Sequence, residues 1–367
     1  MGRTVPIIPI SSAMDNIVHD ETGDWFFDYK NNFLCKIDLE NYIIDQIAYI
    51  NRPEQYKKYE KAYGEIIIVN KKIIITPEAP IPIPIFDIVS KNTVYITYDI
   101  DESVFPGKIF SSVIQFNDQI YFLPCCYNAI ISMNIISQEI HYYSLDNFFN
   151  RNGICIWSGY YFVNNILYFA LYNTVVSFNL ENNNINVIFN MSQDEGIAGV
   201  VGDKNGLWIV PIKANKLYKL DFTEIDNGRE VGGFPSEYSA GEFSFSKIID
   251  KGDYAFFLPR DANICICLEK KSEKLFKIDS KSYKSTNYYS KYMFFSTLLI
   301  NNDVIMLFES DSGDIRFYNK FFDFIGIKHL YYNPYKLHRS IEVSSDEVIL
   351  ENDLMDLKYM IGRVIEY

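Results

Sequence analysis

Residues 121–134 read YFLPCCYNAIISMN, and residues 256–269 read FFLPRDANICICLE. The two stretches start 135 positions apart and share a skeleton: two aromatics, Leu, Pro, three variable residues, Asn, then an alternating apolar run. With the Pro as anchor, Asn stands four residues on and Asn, Asp or Glu ten residues on. Pro211, Asn215 and Asp221 repeat the pattern in WIVPIKANKLYKLD. Phe169, Asn173 and Asn179 keep the spacing without the Pro, and so do Asp28, Asn32 and Asp38. Fainter copies carry Pro77, Ile81 and Asp87, and Phe308, Ser312 and Tyr318. The seven anchors, 28, 77, 124, 169, 211, 259 and 308, are 49, 47, 45, 42, 48 and 49 residues apart.

A period of about 40–50 residues is that of a propeller blade. The third unit divides into four short strands, 110–116, 120–124, 128–134 and 139–145, separated by Asn117-Asp118, the CCY turn and Ser137-Gln138. These are turn residues, and no long helical period intervenes, which argues against βαβ units. Abundant aromatics, 29 Tyr and 28 Phe, add a strand bias. The expected fold is all-β: a seven-bladed β-propeller of four-stranded antiparallel blades over 1–345. Pro ends a blade's second strand because it cannot donate to a ladder. Asn four residues later suits the turn exit because it tolerates left-handed φ.

The repeat resembles the NHL, YVTN and Kelch-like class of bacterial propellers, from about residue 15 to 330. It departs from the named members. The paired Gly of Kelch blades occurs once, at Gly232-Gly233, and the Gly-His and Trp-Asp of WD repeats are absent. At 309–316 the sialidase Asp box is matched by Asp311 and Gly313, but Glu309 and Arg316 hold its Ser and aromatic places.

Two segments stand outside the repeat. Residues 51–63 place Tyr56, Tyr59 and Tyr63 on one helical face, as an edge cover or a lid. Residues 346–367 form an amphipathic C-terminal helix, with Leu350, Leu354, Leu357, Ile361 and Val364 in one stripe, expected to pack on the propeller. Either 340–345 or the N-terminal TVPIIPI closes the ring.

The net charge of −13, without a basic run, argues against nucleic acid and against an anionic membrane surface. The start, broken by Pro6 and Pro9, is no signal peptide, and no run of eighteen apolar residues exists. Cys35, Cys125, Cys126, Cys155, Cys265 and Cys267 show no CxxC spacing. A cytoplasmic protein with reduced thiols, no cofactor and no metal is therefore expected.

The four histidines make no metal-ligand spacing, and no nucleophile or phosphate-loop motif appears. Topology points further than motifs. Turns between second and third strands share one face with the blade-to-blade connections and surround the channel mouth, and loops on a rigid scaffold carry binding residues. The three residues after each anchor are the candidates. They offer cations (Lys30, Lys213, Arg260), carboxylates (Glu78, Asp261, Glu309, Asp311) and aromatics (Tyr127, Tyr172). One reading is a non-catalytic propeller that binds a protein, peptide or glycan there. The other is a lyase or hydrolase using Glu78, Asp261 or Glu309.

Overall fold

The structure, a computed structural model, describes residues 8–9, 14–52, 56, 61–99, 108–146, 148, 159–192, 195–223, 228–279, 295–301, 303–309 and 313–333. The C-terminal helix expected over 346–367, the segment 340–345 and most of 51–63 lie outside the described residues.

Seven antiparallel sheets follow one another along the chain, at 18–49, 63–96, 110–144, 160–190, 197–231, 245–279 and 295–329. Each has four strands of one contiguous stretch paired in sequence order, and the first sheet carries two further short strands, Tyr331–Tyr332 and Ile8–Pro9, on its outer edge. They are blades 1 to 7, and within each the first strand is innermost.

Seven apolar clusters hold them together, and each lies between two blades. Phe27 and Trp25 of blade 1 pack with Ile75 and Phe86 of blade 2. Ile74 and Ile85 meet Phe110 and Phe122 of blade 3. Tyr121 and Ile130 meet Phe169 and Phe178 of blade 4. Tyr168 and Val175 meet Leu207 and Ile209 of blade 5. Trp208 and Val210 meet Phe257 and Ile266 of blade 6. Phe256 and Cys267 meet Leu298 and Leu307 of blade 7. Finally Met306, Phe308 and Ile315 of blade 7 meet Phe26, Cys35 and Ile37 of blade 1. That last cluster makes the arrangement a ring. The second and third strands of a blade are buried on both faces, which explains near-continuous apolar runs such as IYFLP and ICICL rather than simple alternation.

The seam between blades 7 and 1 is covered by both ends of the described chain. Tyr331–Tyr332 runs parallel to Ile43 and Ile44 of blade 1's outer strand, and Ile8–Pro9 pairs antiparallel with Tyr331–Tyr332. Ile8–Pro9 lies within the N-terminal TVPIIPI, whereas the strand beside blade 1 is Tyr331–Tyr332, ahead of the 340–345 expected from the sequence.

The repeated skeleton now has a physical meaning. The Asx residue ten after the anchor builds the turn between third and fourth strands. Asn134 accepts the N–H groups of Ile136 and Ser137, both at 2.9 Å. Asp38, Asp87 and Asn179 accept from Glu40 and Asn41, Val89 and Ser90, and Glu181 and Asn182 in the same way. The Asn four after the anchor ties down the exit of the outer strand: Asn32, Asn128 and Asn173 carbonyls accept from Ile50, Leu145 and Met191.

Strand pairing shifts two anchors. Phe245 faces Pro259 and Phe295 faces Glu309, so Glu309, not Phe308, takes the Pro place in blade 7. Ten residues on stands Asn319, which accepts from Phe321 at 2.9 Å. In blade 4, Leu171 pairs Thr174 across a tight turn of Tyr172 and Asn173, and Tyr172 takes φ 52°. That hairpin is two residues shorter than Pro124's, so Leu171 ends the strand although Phe169 keeps the spacing to Asn179.

Candidate functional site at the channel mouth

A belt of backbone hydrogen bonds sets the geometry of the mouth. Because the anchor Pro cannot donate, the next residue does. Glu78, Cys125, Ile212 and Arg260 donate to the carbonyls of Ala62, Ile109, Gly196 and Ser244, each just ahead of its own blade's inner strand. The same kind of residue reaches forward. The carbonyls of Glu78, Tyr172 and Ile212 accept from Ile109, Ile197 and Ser244, at the entrance to the next blade. Turns and blade-to-blade connections are thus laced together on one face, and the bonds just named are main chain to main chain. Side chains at these positions vary without disturbing them.

The inner strands begin with a recurrent irregularity. Register shifts fall at Tyr63/Ile66, Phe110/Ser112, Ile197/Gly199, Phe245/Lys247 and Phe295/Thr297. A bulge leaves a ladder carbonyl short of a partner. Ser111, Ser246 and Ser296 hydroxyls supply one to Leu123, Leu258 and Phe308, at 3.3–3.4 Å.

Glu78 is the expected site residue that the structure places at the centre. Its side chain is only 5% exposed and lies 3.1 Å from Lys61 Nζ and 2.5 Å from Lys108 Nζ. Lys61 also donates to Asp15 at 2.6 Å and lies 4.1 Å from the centre of the Tyr29 ring. From the far side of the ring Lys247, on blade 6, ion-pairs with Glu65 of blade 2 at 2.9 Å and donates to the Asp15 carbonyl. Three carboxylates and three ammonium groups therefore interlock across blades 1, 2, 3 and 6. Burial opposes the charge on Asp15, but Lys61, Lys108 and Lys247 outweigh it and hold its carboxyl well below the usual range. Lys61, likewise opposed by burial, is pushed up by Asp15 and Glu78. Gly64 is required here: a Cβ on it would stand 2.3 Å from Glu78 Oε1 and 2.7 Å from Asp15 Oδ2.

The other candidates occupy varied surroundings. Lys30 and Lys213 are exposed. Arg260 is half-buried and stacks 4.8 Å over the Phe243 ring. Asp261 accepts the Phe243 N–H at 3.0 Å, so its carboxylate fixes the connection into blade 6. Tyr127 is core: it packs on Phe110 at 5.7 Å and donates its hydroxyl to the Asp99 carbonyl. Tyr172 is partly exposed beside Gly196. Glu309 ion-pairs with Arg316, whose side chain is 5% exposed, which explains the Arg where the Asp box has an aromatic. Asp311 lies outside the described residues.

Asp15, Lys61, Glu65, Lys108 and Lys247 were not expected from the sequence. One signal was available: Glu65 and Lys247 are charges at the third residue of their inner strands, ahead of the Ile-rich runs EIII and KII.

The cysteine expectation needs one correction. Among the described residues, Cys35, Cys125, Cys265 and Cys267 are free and buried, but Cys126 is disulfide-bonded. It is no free nucleophile. Burial pushes the neighbouring Cys125 thiol up to about 12, so it stays protonated near neutrality. The Asp314 carboxylate accepts from the His329 ring, 2.6 Å away, on the outer side of blade 7. His338 lies outside the described residues.

This fold and mouth define a seven-bladed β-propeller. No family model and no curated protein matches the chain. Solved structures do. A catalytically inactive virginiamycin B lyase from Staphylococcus aureus, crystallised with quinupristin, is 15% identical with a TM-score of 0.61, over 84% of this chain and 96% of that one. A streptogramin B lyase is 15% identical with a TM-score of 0.56, over 86% and 93%. The WD40 repeats of RRP9 are 11% identical with a TM-score of 0.53, over 74% and 82%. The neighbours thus include both enzymes and repeat domains, and at these identities the likeness is one of fold.

Proposed function

We propose that this propeller is a binding module that takes a protein, peptide or glycan surface on the face carrying the channel mouth. The observation that carries the reading is the main-chain belt. It fixes the positions of Glu78, Cys125, Tyr172, Ile212 and Arg260 while leaving their side chains free to differ from blade to blade. The charged floor beneath is already paired, so a ligand there meets a rigid, polar, pre-organised surface. A lyase or hydrolase reading needs a carboxylate that a substrate can reach. Glu78 and Glu309 are largely buried in ion pairs with Lys61, Lys108 and Arg316, and Asp261 accepts the Phe243 N–H, so the binding reading is the better supported.

The test compares Lys30→Ala, Lys213→Ala and Arg260→Ala with a control at Lys91, in a turn on the opposite face. The probes are a peptide library and a glycan array applied to the intact chain. A hit whose affinity falls about tenfold (1.4 kcal/mol) in the first set and holds in the control supports the reading. The reverse pattern puts the working surface on the other face. Turnover of a probe that Glu78→Gln abolishes would favour the enzyme.

A further inference from the structure

The outer strand of blade 7, Phe324–His329, exposes three large apolar side chains, where that of blade 2 exposes two, Val94 and Tyr95. Phe324, Ile325 and Ile327 are all exposed, and Phe321, in the turn before it, is 73% exposed. Ile325 is the unpaired residue of a bulge, between Phe324, which faces Tyr318, and Gly326, which faces Phe317, and among the described residues no partner strand lies beyond this edge of the blade. The outer strand of blade 5 presents Arg229 and Glu230 instead, and that of blade 3 presents His141 and Tyr142. Clustered apolar side chains on an open sheet edge mark a contact surface.

We infer that the occupant is this chain's own C-terminal segment, residues 346–367. Its stripe of Leu350, Leu354, Leu357, Ile361 and Val364 is an apolar face that needs a partner, because an isolated helix of this length is marginal in water. The chain leaves the described part at Asn333. There the Asn333 side chain donates to Asp45 at 2.8 Å on the outer strand of blade 1, the neighbour of blade 7 across the seam. The residues from Asn333 to Leu350 extend to roughly 55 Å, so reach is not limiting. The segment carries six Asp and Glu against one Lys and one Arg, and Lys328, exposed within the strand, offers it a cation, whereas Lys320 is already paired with Asp303 at 3.3 Å.

Hydrogen exchange on the full chain tests this. In the parent, amides of 350–364 are expected to be protected, because only a docked helix resists exchange at this length. Ile325→Asp with Ile327→Asp should speed their exchange by at least about tenfold and leave the inner strands unchanged, since exposed positions cost the fold little. Reciprocally, Leu354→Asp with Leu357→Asp should speed exchange at Phe324–His329. Free-peptide exchange of 350–364 in the parent would overturn the inference, and so would protection indifferent to both double variants. Protection that fades on dilution would assign the patch to a second copy of the chain and overturn it equally.

Discussion

The Tyr332 hydroxyl donates to the buried carboxylate of Asp28 across 304 positions of sequence. Asp28 holds the anchor place in blade 1 and is fully buried. It also accepts from the Lys30 backbone at 3.2 Å and the Asn31 side chain at 2.7 Å. One carboxylate therefore joins the first blade's turn to the segment that follows the last blade. Tyr332→Phe removes a single donor to a buried charge and should cost about 1–3 kcal/mol. Asp28→Ala removes several bonds and should cost more. Urea titrations read this as a lower midpoint with an unchanged slope. Equal midpoints for parent and Tyr332→Phe would show that the clasp carries no stability.

Breaking the ion pairs at the mouth should be costly. Lys61→Met leaves Asp15 and Glu78 without their shared ammonium, a loss of about 3–5 kcal/mol for a well-buried pair, less to the extent that Lys61, 28% exposed, is already wetted. Lys213→Ala, on the surface, should stay within about 0.5 kcal/mol of the parent. Thermal melts of the two variants side by side check the contrast.

Acid dependence follows from the same cluster. Asp15 is depressed because its lysines outweigh burial, and Glu273 is depressed by its hydrogen bond to Arg229 and by Lys219. A carboxylate depressed in the folded state adds stability above its unfolded pKa and loses it as pH falls through the folded one. Asp15→Asn should therefore lie below the parent in stability at pH 7. The gap should begin to narrow only below about pH 4, where the unfolded carboxyl protonates. Denaturant midpoints at several pH values measure it, and a gap that widens in acid would reverse the assignment.

Gly64→Ala should disturb the mouth rather than the blade. The added methyl meets two carboxylates, not backbone, so Glu78 and Asp15 must give way. The expected loss is in the acid-sensitive part of the stability, with the inner strands' amide protection retained.

Alkylation before reduction should modify Cys35, Cys125, Cys265 and Cys267 in unfolded protein and leave Cys126 untouched until reduction, as peptide mapping of the label would show. Six thiols at the first step would restore the fully reduced reading.

The fold was legible because its turn chemistry repeats. Asx residues at 38, 87, 134 and 179 must cap the same turn in each blade, and a fixed geometric need leaves a fixed spacing. Where a hairpin shortens, as at Tyr172-Asn173, the same spacing misplaces the strand end by two residues. The mouth was half legible. Glu78 stands one residue past an anchor, so the repeat finds it. Its partners do not recur. Lys247 and Asp15 meet across the ring, 232 positions apart, and no local pattern encodes a pairing made by closure. Tyr127 shows the opposite failure: its place in the repeat is a turn, but its ring is drawn into the core by Phe110.

Every blade is built from one unbroken stretch of chain, so no sheet is shared between the first blade and the last. The ring is held shut by side-chain packing and by two short strands laid over the outside of blade 1. Under tension applied to the two ends of the chain, those short strands bear the load first. They unzip a few hydrogen bonds at a time, while the six remaining interfaces carry none of it. The molecule should give way like a bracelet at its clasp, with a small early rupture well before any blade unravels.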